Sequence, residues 1–293
     1  MNTKKWIEEN TESLSGKTVA VTGTTGGLGK ELCSYLASLG ASLILVDRNL
    51  ARSKAFRDEL SETYENIDVK CISADLEDIE SVKSALEALK REPLDVFIHN
   101  AGAYSIPRHK CKTGYDNVYQ INFVSPYYMI RELLPMLRER DGRVVVVGSI
   151  AHNYSKSDAN DIDFSKRNAA SKVYGNAKRY LMFSLYELFA NEERASLSVT
   201  HPGISFTNIT SHYPKLIFAF IKHPMKIIFM KPKKACLSIL RGVFSSVGYH
   251  EWIGPRAFGI WGLPKKMKLK SCSAEESIRI GECADKVYLE IKK

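Results

Sequence analysis

A chain of 293 residues with 44% hydrophobic and 26% charged residues can bury a sizeable core, and it lies outside disordered and collagen-like compositions. Its six cysteines (Cys33, Cys71, Cys111, Cys236, Cys272, Cys283) form no CxxC pair and no close Cys/His set, so the reading is idle thiols in a reducing compartment, with no metal site and no disulfide framework. The net charge of +9 is local: residues 214–270 carry 12 Lys+Arg against a single acidic residue, and the remainder of the chain is slightly acidic.

The opening "MNTKKWIEENTESLSGK" has no apolar core of signal-peptide length, and no window reaches the roughly 18 apolar residues of a spanning helix. A cytoplasmic location is the expectation, with peripheral contact at a membrane surface left open. Strand patterns then alternate with helical ones. "KTVAVTG" (17–23), "SLILVD" (42–47), "IDVKCIS" (67–73), "LDVFIHN" (94–100), "GRVVVVGS" (142–149) and "ASLSVTH" (195–201) read as strands. Most are apolar throughout, as strands covered on both faces should be. Helices are predicted near 28–39, 51–63, 78–91, 115–139, 171–191 and 274–290. Regular βαβ alternation predicts a single α/β domain with a Rossmann-type, doubly wound parallel sheet between two helical layers. No composition shift marks a second domain. The stretch "WIGPRAFGIWGLPKKMKLK" reads as turns and irregular backbone.

"TGTTGGLG" (22–29) sits between the first strand and the first helix, with Gly23, Gly27 and Gly29 in a G-x-x-x-G-x-G spacing. Glycines there allow a tight turn and let a pyrophosphate approach free N–H groups at the helix end, although a packing turn would look the same in isolation. Asp47 ends strand two, where a carboxylate can accept from ribose hydroxyls and repel a 2′-phosphate; Arg48 beside it could bind that phosphate. Asp75 follows strand three and suits either an adenine amino group or a helix cap. "HNAG" (99–102) gives strand four a small exit. Tyr174 and Lys178 share one helical face at i, i+4, 25 residues after Ser149.

Together "TGTTGGLG", "NAG" (100–102), Asn122, Ser149, "YGNAK" (174–178) and "HPGISFT" (201–207) resemble the short-chain dehydrogenase/reductase family, in its order, over residues 17–207. "GSIAH" (148–152) and the long insertion before Tyr174 are similar to the retinol-dehydrogenase-like branch, with Gly148 departing from a frequent serine. The resemblance implies an NAD(P)-dependent oxidoreductase. Its implied catalytic set is Asn122, Ser149, Tyr174 and Lys178, with Tyr174 as acid/base, Ser149 holding the substrate oxygen, and Lys178 favouring phenolate and holding the nicotinamide ribose. The implied cofactor contacts are Gly23, Thr25, Gly27, Leu28, Gly29, Asp47, Arg48, Asp75, Leu76, Asn100, Ala101, Gly102, Tyr174, Lys178, Pro202, Gly203, Ile204 and Thr207. Asp47 and the non-basic Gly26 favour NAD; Arg48 keeps NADP open.

Pro126 has no N–H for the carbonyl of Asn122, so the long middle helix is expected to bend there and free that carbonyl. His201 reads as a packed histidine. After "HPGISFT", residues 205–270 are expected to cover the substrate. Leu216, Ile217, Phe218, Phe220, Ile221, Ile227, Ile228, Phe229 and Met230 point to a hydrophobic alcohol or carbonyl compound. The same mixture of apolar residues and lysine around 214–234 leaves contact with an anionic membrane open, and nothing accompanies the charge that would read nucleic acid. A catalytically inactive nucleotide-sensing scaffold and a membrane tether are the competing functions. The family resemblance implies a homodimer or homotetramer paired through the helices at 115–139 and 171–191.

Overall fold

A computed structural model describes residues 3–203 and 230–293. One sheet runs through it, in the order β3-β2-β1-β4-β5-β6-β7-β8. Its strands are β1 Thr18–Thr22, β2 Ser42–Asp47, β3 Val69–Ser73, β4 Leu94–His99, β5 Arg143–Val147, β6 Ser196–Thr200, β7 Glu251–Ala257 and β8 Trp261–Lys268. The first seven are mutually parallel, and β8 pairs antiparallel with β7.

Successive side chains of the central strands enter different cores, because a strand alternates faces. Val19, Val21, Val145 and Val147 pack in one cluster beneath α1 (Thr3–Asn10), α2 (Gly27–Ser38) and α3 (Leu50–Thr63). Ala20, Val144 and Val146 pack in the other, beneath α4 (Ile79–Leu89), α6 (Ser125–Glu139) and α7 (Ala170–Leu188). The doubly wound three-layer sheet expected from apolar, non-alternating strands is what forms. Chain order reverses between β1 and β4, so a crevice opens at the carboxyl ends of those strands.

Three features depart from the pattern read in the sequence. The N-terminal segment forms α1, with Trp6 buried and the Asn10 side chain accepting from Arg241 at 2.7 Å. The stretch read as irregular at 252–270 is mostly a β-hairpin, in which Trp252 faces Met267 and Pro255 faces Pro264. Two prolines and a glycine turn hide its alternation, and exposed Lys265, Lys266 and Lys268 protect the sheet edge. The middle helix is not continuous: a helical turn α5 (Asn117–Tyr119) passes into a π turn over Gln120–Val124 before α6 begins.

Of the expected substrate-covering region 205–270, residues 205–229 lie outside the described residues, and so do Leu216 through Phe229, Ile204 and Thr207. The described remainder contributes Met230, α8 (Pro232–Ala235), α9 (Leu237–Phe244) and the hairpin. The last helix, α10 (Ala274–Lys292), lies against α7 and α6. Among the described residues no helix is long and apolar enough to cross a membrane.

Candidate active site

The glycine turn separates into positions with different tasks. Gly23 has φ +73°, and a Cβ there would meet Ala101 Cα at 2.9 Å; a Cβ on Gly29 would meet the Gly23 carbonyl at 2.2 Å. Both are required by packing. A Cβ on Gly27 would meet only Pro232 at 3.8 Å, and Gly27 itself is exposed. It begins α2 behind Gly26, which provides no side-chain cap. The first N–H groups of a 12-residue helix therefore face an open, glycine-walled trough. Leu28 packs inward against the core of that face.

The trough is tied to β4 by side chains. The Asn100 amide donates to the carbonyls of Thr22 and Gly23, each at 3.0 Å. Thr22 Oγ1 accepts from the N–H groups of Asn100 at 3.1 Å and Ala101 at 3.0 Å, which directs its proton to His99 Nδ1 at 3.1 Å. Thr22 and His99 were not singled out in the sequence, since a strand-end threonine and a buried histidine carry no spacing signal.

Asp47 is buried at the end of β2 with both oxygens occupied. Thr24 and Ser53 hydroxyls donate to Oδ2, the latter at 2.9 Å, and Thr25 donates to Oδ1 from its N–H at 3.3 Å and its hydroxyl at 3.4 Å. Arg48 is exposed beside it, and exposed Arg52 reaches the Thr25 carbonyl at 3.4 Å. Asp75 does not cap the next helix. It accepts from Glu77 N–H in a local turn at 3.0 Å, while Asp78 caps α4. Leu76 is buried, and its carbonyl accepts from Ser125 at 2.7 Å.

Ser149, Tyr174, Lys178, Asn122 and Gly102 meet at the carboxyl ends of β4 and β5. Ser149 lies beside Tyr174, and its hydroxyl accepts from Ala151 N–H at 3.2 Å. Lys178 is buried, donates to the Val147 carbonyl at 2.9 Å, and lies 5.8 Å from the centroid of the Tyr174 ring. The Asn122 amide donates to the carbonyls of Ala103 and Val118, both at 2.8 Å, and its oxygen accepts from Ala103 N–H at 3.2 Å. A Cβ on Gly102 would fall 2.8 Å from that oxygen and 3.5 Å from Lys178 Nζ. The break expected at Pro126 takes the form of the π turn, in which Ser125 N–H bonds the Gln120 carbonyl and Asn122 is wound inward. Such single turns often accompany functional sites.

Electrostatically the two key side chains move in opposite directions. Burial raises the Tyr174 phenol to about 12, against the smaller opposing influence of the neighbouring Ser149 hydroxyl, and burial lowers the Lys178 ammonium to about 8. Lys178 is expected to draw the phenol down; in the folded chain desolvation is the largest effect. Pro202 and Gly203 are buried beside β6, and Gly203, at φ +78°, backs onto the Ile260 carbonyl. His201 is packed, as read, with its ring stacked on Trp252 at 4.9 Å.

Residues 17–160 match the family model for short chain dehydrogenases. The chain belongs to the short-chain dehydrogenase/reductase family. It is 29% identical over 258 residues to an uncharacterised oxidoreductase of Schizosaccharomyces pombe, covering 82% of this chain and 76% of that one. It is 32% identical over 211 residues to the human WW domain-containing oxidoreductase, covering 67% of this chain but only half of that protein. Mouse retinol dehydrogenase 12 is 28% identical over 202 residues, covering 67% of this chain and 64% of that one. Among solved structures, an uncharacterised protein from Mycobacterium paratuberculosis superposes with a TM-score of 0.77 across 96% of both chains, at 22% identity, which speaks for the fold. This short-chain dehydrogenase is an NAD(P)-dependent oxidoreductase.

Proposed function

We propose that this short-chain dehydrogenase interconverts an apolar alcohol and its aldehyde or ketone, with Tyr174 moving the proton. The observation that carries the reading is the convergence of Ser149, Tyr174 and buried Lys178 beside the uncapped start of α2. When bound, the nicotinamide cofactor supplies or accepts the hydride. The open trough over Gly26 and Gly27 fits its pyrophosphate, and the exposed, glycine-lined exit at Gly102 leaves room above Lys178. A substrate oxygen lodged between the Ser149 and Tyr174 hydroxyls would gain two donors where negative charge develops. With its phenol near 12, Tyr174 is neutral at neutral pH and able to donate a proton to a carbonyl oxygen. Asn122 fixes the backbone at Ala103, beneath the Lys178 side of the site.

Half-buried Tyr104, Ile106 and Ile150 border this group, and the Tyr104 ring stands edge-on to Tyr174 at 5.3 Å. That apolar rim, together with the likeness to a retinol dehydrogenase, supports a hydrophobic substrate. An inactive scaffold would need the glycine turn but not an ammonium buried beside a phenol, since an ammonium out of water is costly to keep. Of the segment 214–234 proposed for contact with a membrane, residues 214–229 lie outside those described.

On the cofactor, the expectation of NAD rests on the non-basic Gly26 and on Asp47 being free to meet a ribose diol. Its oxygens already accept four donors from Thr24, Thr25 and Ser53, whereas Arg48 and Arg52 are exposed at the same rim. We therefore favour NADP(H). Fluorescence titration should give the tighter binding with NADPH, and Arg48→Ala should weaken it about tenfold, the scale of one charge-assisted phosphate bond. Tighter NADH binding would return the choice to Asp47. Tyr174→Phe should cut turnover by about 10²–10⁴-fold with NADPH binding retained; undiminished turnover would overturn the catalytic assignment.

A further inference from the structure

The turn that carries Ser149 is held from behind by groups that the reaction does not use. His152 Nδ1 lies 2.5 Å from the Ser149 carbonyl, and a nitrogen so close to a carbonyl oxygen must carry the proton. His152 is fully buried, between the rings of Phe183 and Trp252. Its own carbonyl accepts from Arg179 Nη1 at 3.1 Å. Arg179 follows Lys178 on α7, and its side chain is 1% exposed. Glu276, in the first turn of α10, takes the rest of the guanidinium through Nε at 2.9 Å and Nη2 at 2.6 Å. Arg179 Nη2 also donates to the Ser271 carbonyl at 2.7 Å. Glu276 reaches on to the segment after the Ser149 turn, accepting from Ser157 N–H at 3.1 Å and its hydroxyl at 2.9 Å.

We infer that His152, Arg179 and Glu276 are positioning residues for Ser149, so that the C-terminal helix helps set the alignment of the Ser149 hydroxyl with Tyr174. The sequence of contacts runs from the α10 carboxylate to the α7 guanidinium, to the His152 carbonyl, and from the His152 ring to the Ser149 carbonyl. Every partner is buried or nearly so, which makes the chain stiff: an arginine out of water is tolerated only with its donors satisfied. Arg179 also ties the Ser149 turn to the helix that bears Tyr174 and Lys178, so it fixes the two halves of the site against each other. His152 stays neutral, as burial lowers it to about 4.

This rests on the proposed roles of Ser149 and Tyr174, and the experiment separates the two. Once Tyr174→Phe has established that turnover depends on the phenol, kcat per NADPH-binding site is measured with a model aldehyde for His152→Phe, His152→Asn and Glu276→Gln. His152→Phe removes the donor to the Ser149 carbonyl and should lower kcat toward 10²-fold, the cost of misplacing a reacting group by about an ångström. Substrate KM and the NADPH Kd should change little. His152→Asn restores a side-chain N–H near the same place and should recover most of kcat. Glu276→Gln should lower kcat less, and adding it to His152→Phe should cost little more, because both act on one linkage. Unchanged kcat in His152→Phe, an equal loss in His152→Asn, or full additivity would each overturn the inference while leaving the Tyr174 assignment intact. Normalising to sites that bind NADPH removes any loss due to unfolded chains.

Discussion

Single glycines in the turn before α2 answer to different constraints, and substitution should tell them apart. Alanine at Gly29 would press its Cβ to 2.2 Å from a backbone carbonyl that has no rotamer to escape through. Gly29→Ala should cost about 1–3 kcal/mol in urea unfolding, the usual penalty for overpacking. Alanine at Gly27 meets only Pro232 at 3.8 Å, so Gly27→Ala should unfold within about 0.5 kcal/mol of the native chain yet bind NADPH roughly tenfold more weakly, its methyl occupying the trough. The motif marked both glycines for the cofactor. Sequence spacing could not divide them, because the division depends on which backbone lies opposite. Asp47 illustrates the same limit: its place at the end of β2 was readable, but the threonines and serine that take its oxygens come from the glycine turn and from α3.

At the scale of elements, the six parallel strands predicted and most helices were legible because long apolar runs and 3.6-residue periodicity survive in the text. The elements missed are those whose stability comes from elsewhere. α1 spans eight residues and buries only Trp6, so its pattern is too brief to stand out, and Arg241 holds it from across the fold. Trp6→Ala should cost about 3 kcal/mol of stability, read by the urea midpoint, with kcat unchanged because the tryptophan lies in the opposite helical layer from Tyr174. The β7–β8 hairpin was hidden by Pro255 and Pro264, which sit opposite each other where the ladder is weakest. Pro126 did signal a break in the middle helix. The sequence could not say that the chain would accommodate it with a π turn that winds Asn122 inward.

For the molecule as a whole, buried neutral histidines set an acid limit. His99 is held well below its ordinary value, His152 near 4 and His201 near 3, in each case chiefly because burial disfavours the charged ring. The unfolded chain takes these protons near pH 6.5 and the folded chain does not, so below that pH the unfolded state binds more protons and stability falls with acid. As the pH falls below 6.5 the urea midpoint should therefore drop progressively, and the drop should continue to about pH 4. An unchanged midpoint down to pH 5 would refute it. The C-terminal helix bears on assembly too. It buries Ile280, Ala284, Val287 and Ile291, and Tyr127 reaches Asp285 at 3.0 Å and Tyr288 reaches Glu132 at 2.7 Å. Part of the surface of α6 and α7, the helices expected to pair subunits, is thus covered by the chain itself, and sedimentation at micromolar concentration tests the expected homodimer or homotetramer against the monomer mass of 33.0 kDa.

The clamp between Arg179 and Glu276 also imposes an order in time. Its two halves stand 97 residues apart, and at about 5–20 residues per second the ribosome needs roughly 5–20 s to travel from one to the other. Throughout that interval the nascent chain carries a guanidinium destined for the interior with no carboxylate yet made to receive it. The candidate site therefore cannot take its clamped form until Glu276 has been made, although Ser149, Tyr174 and Lys178 are made long before it.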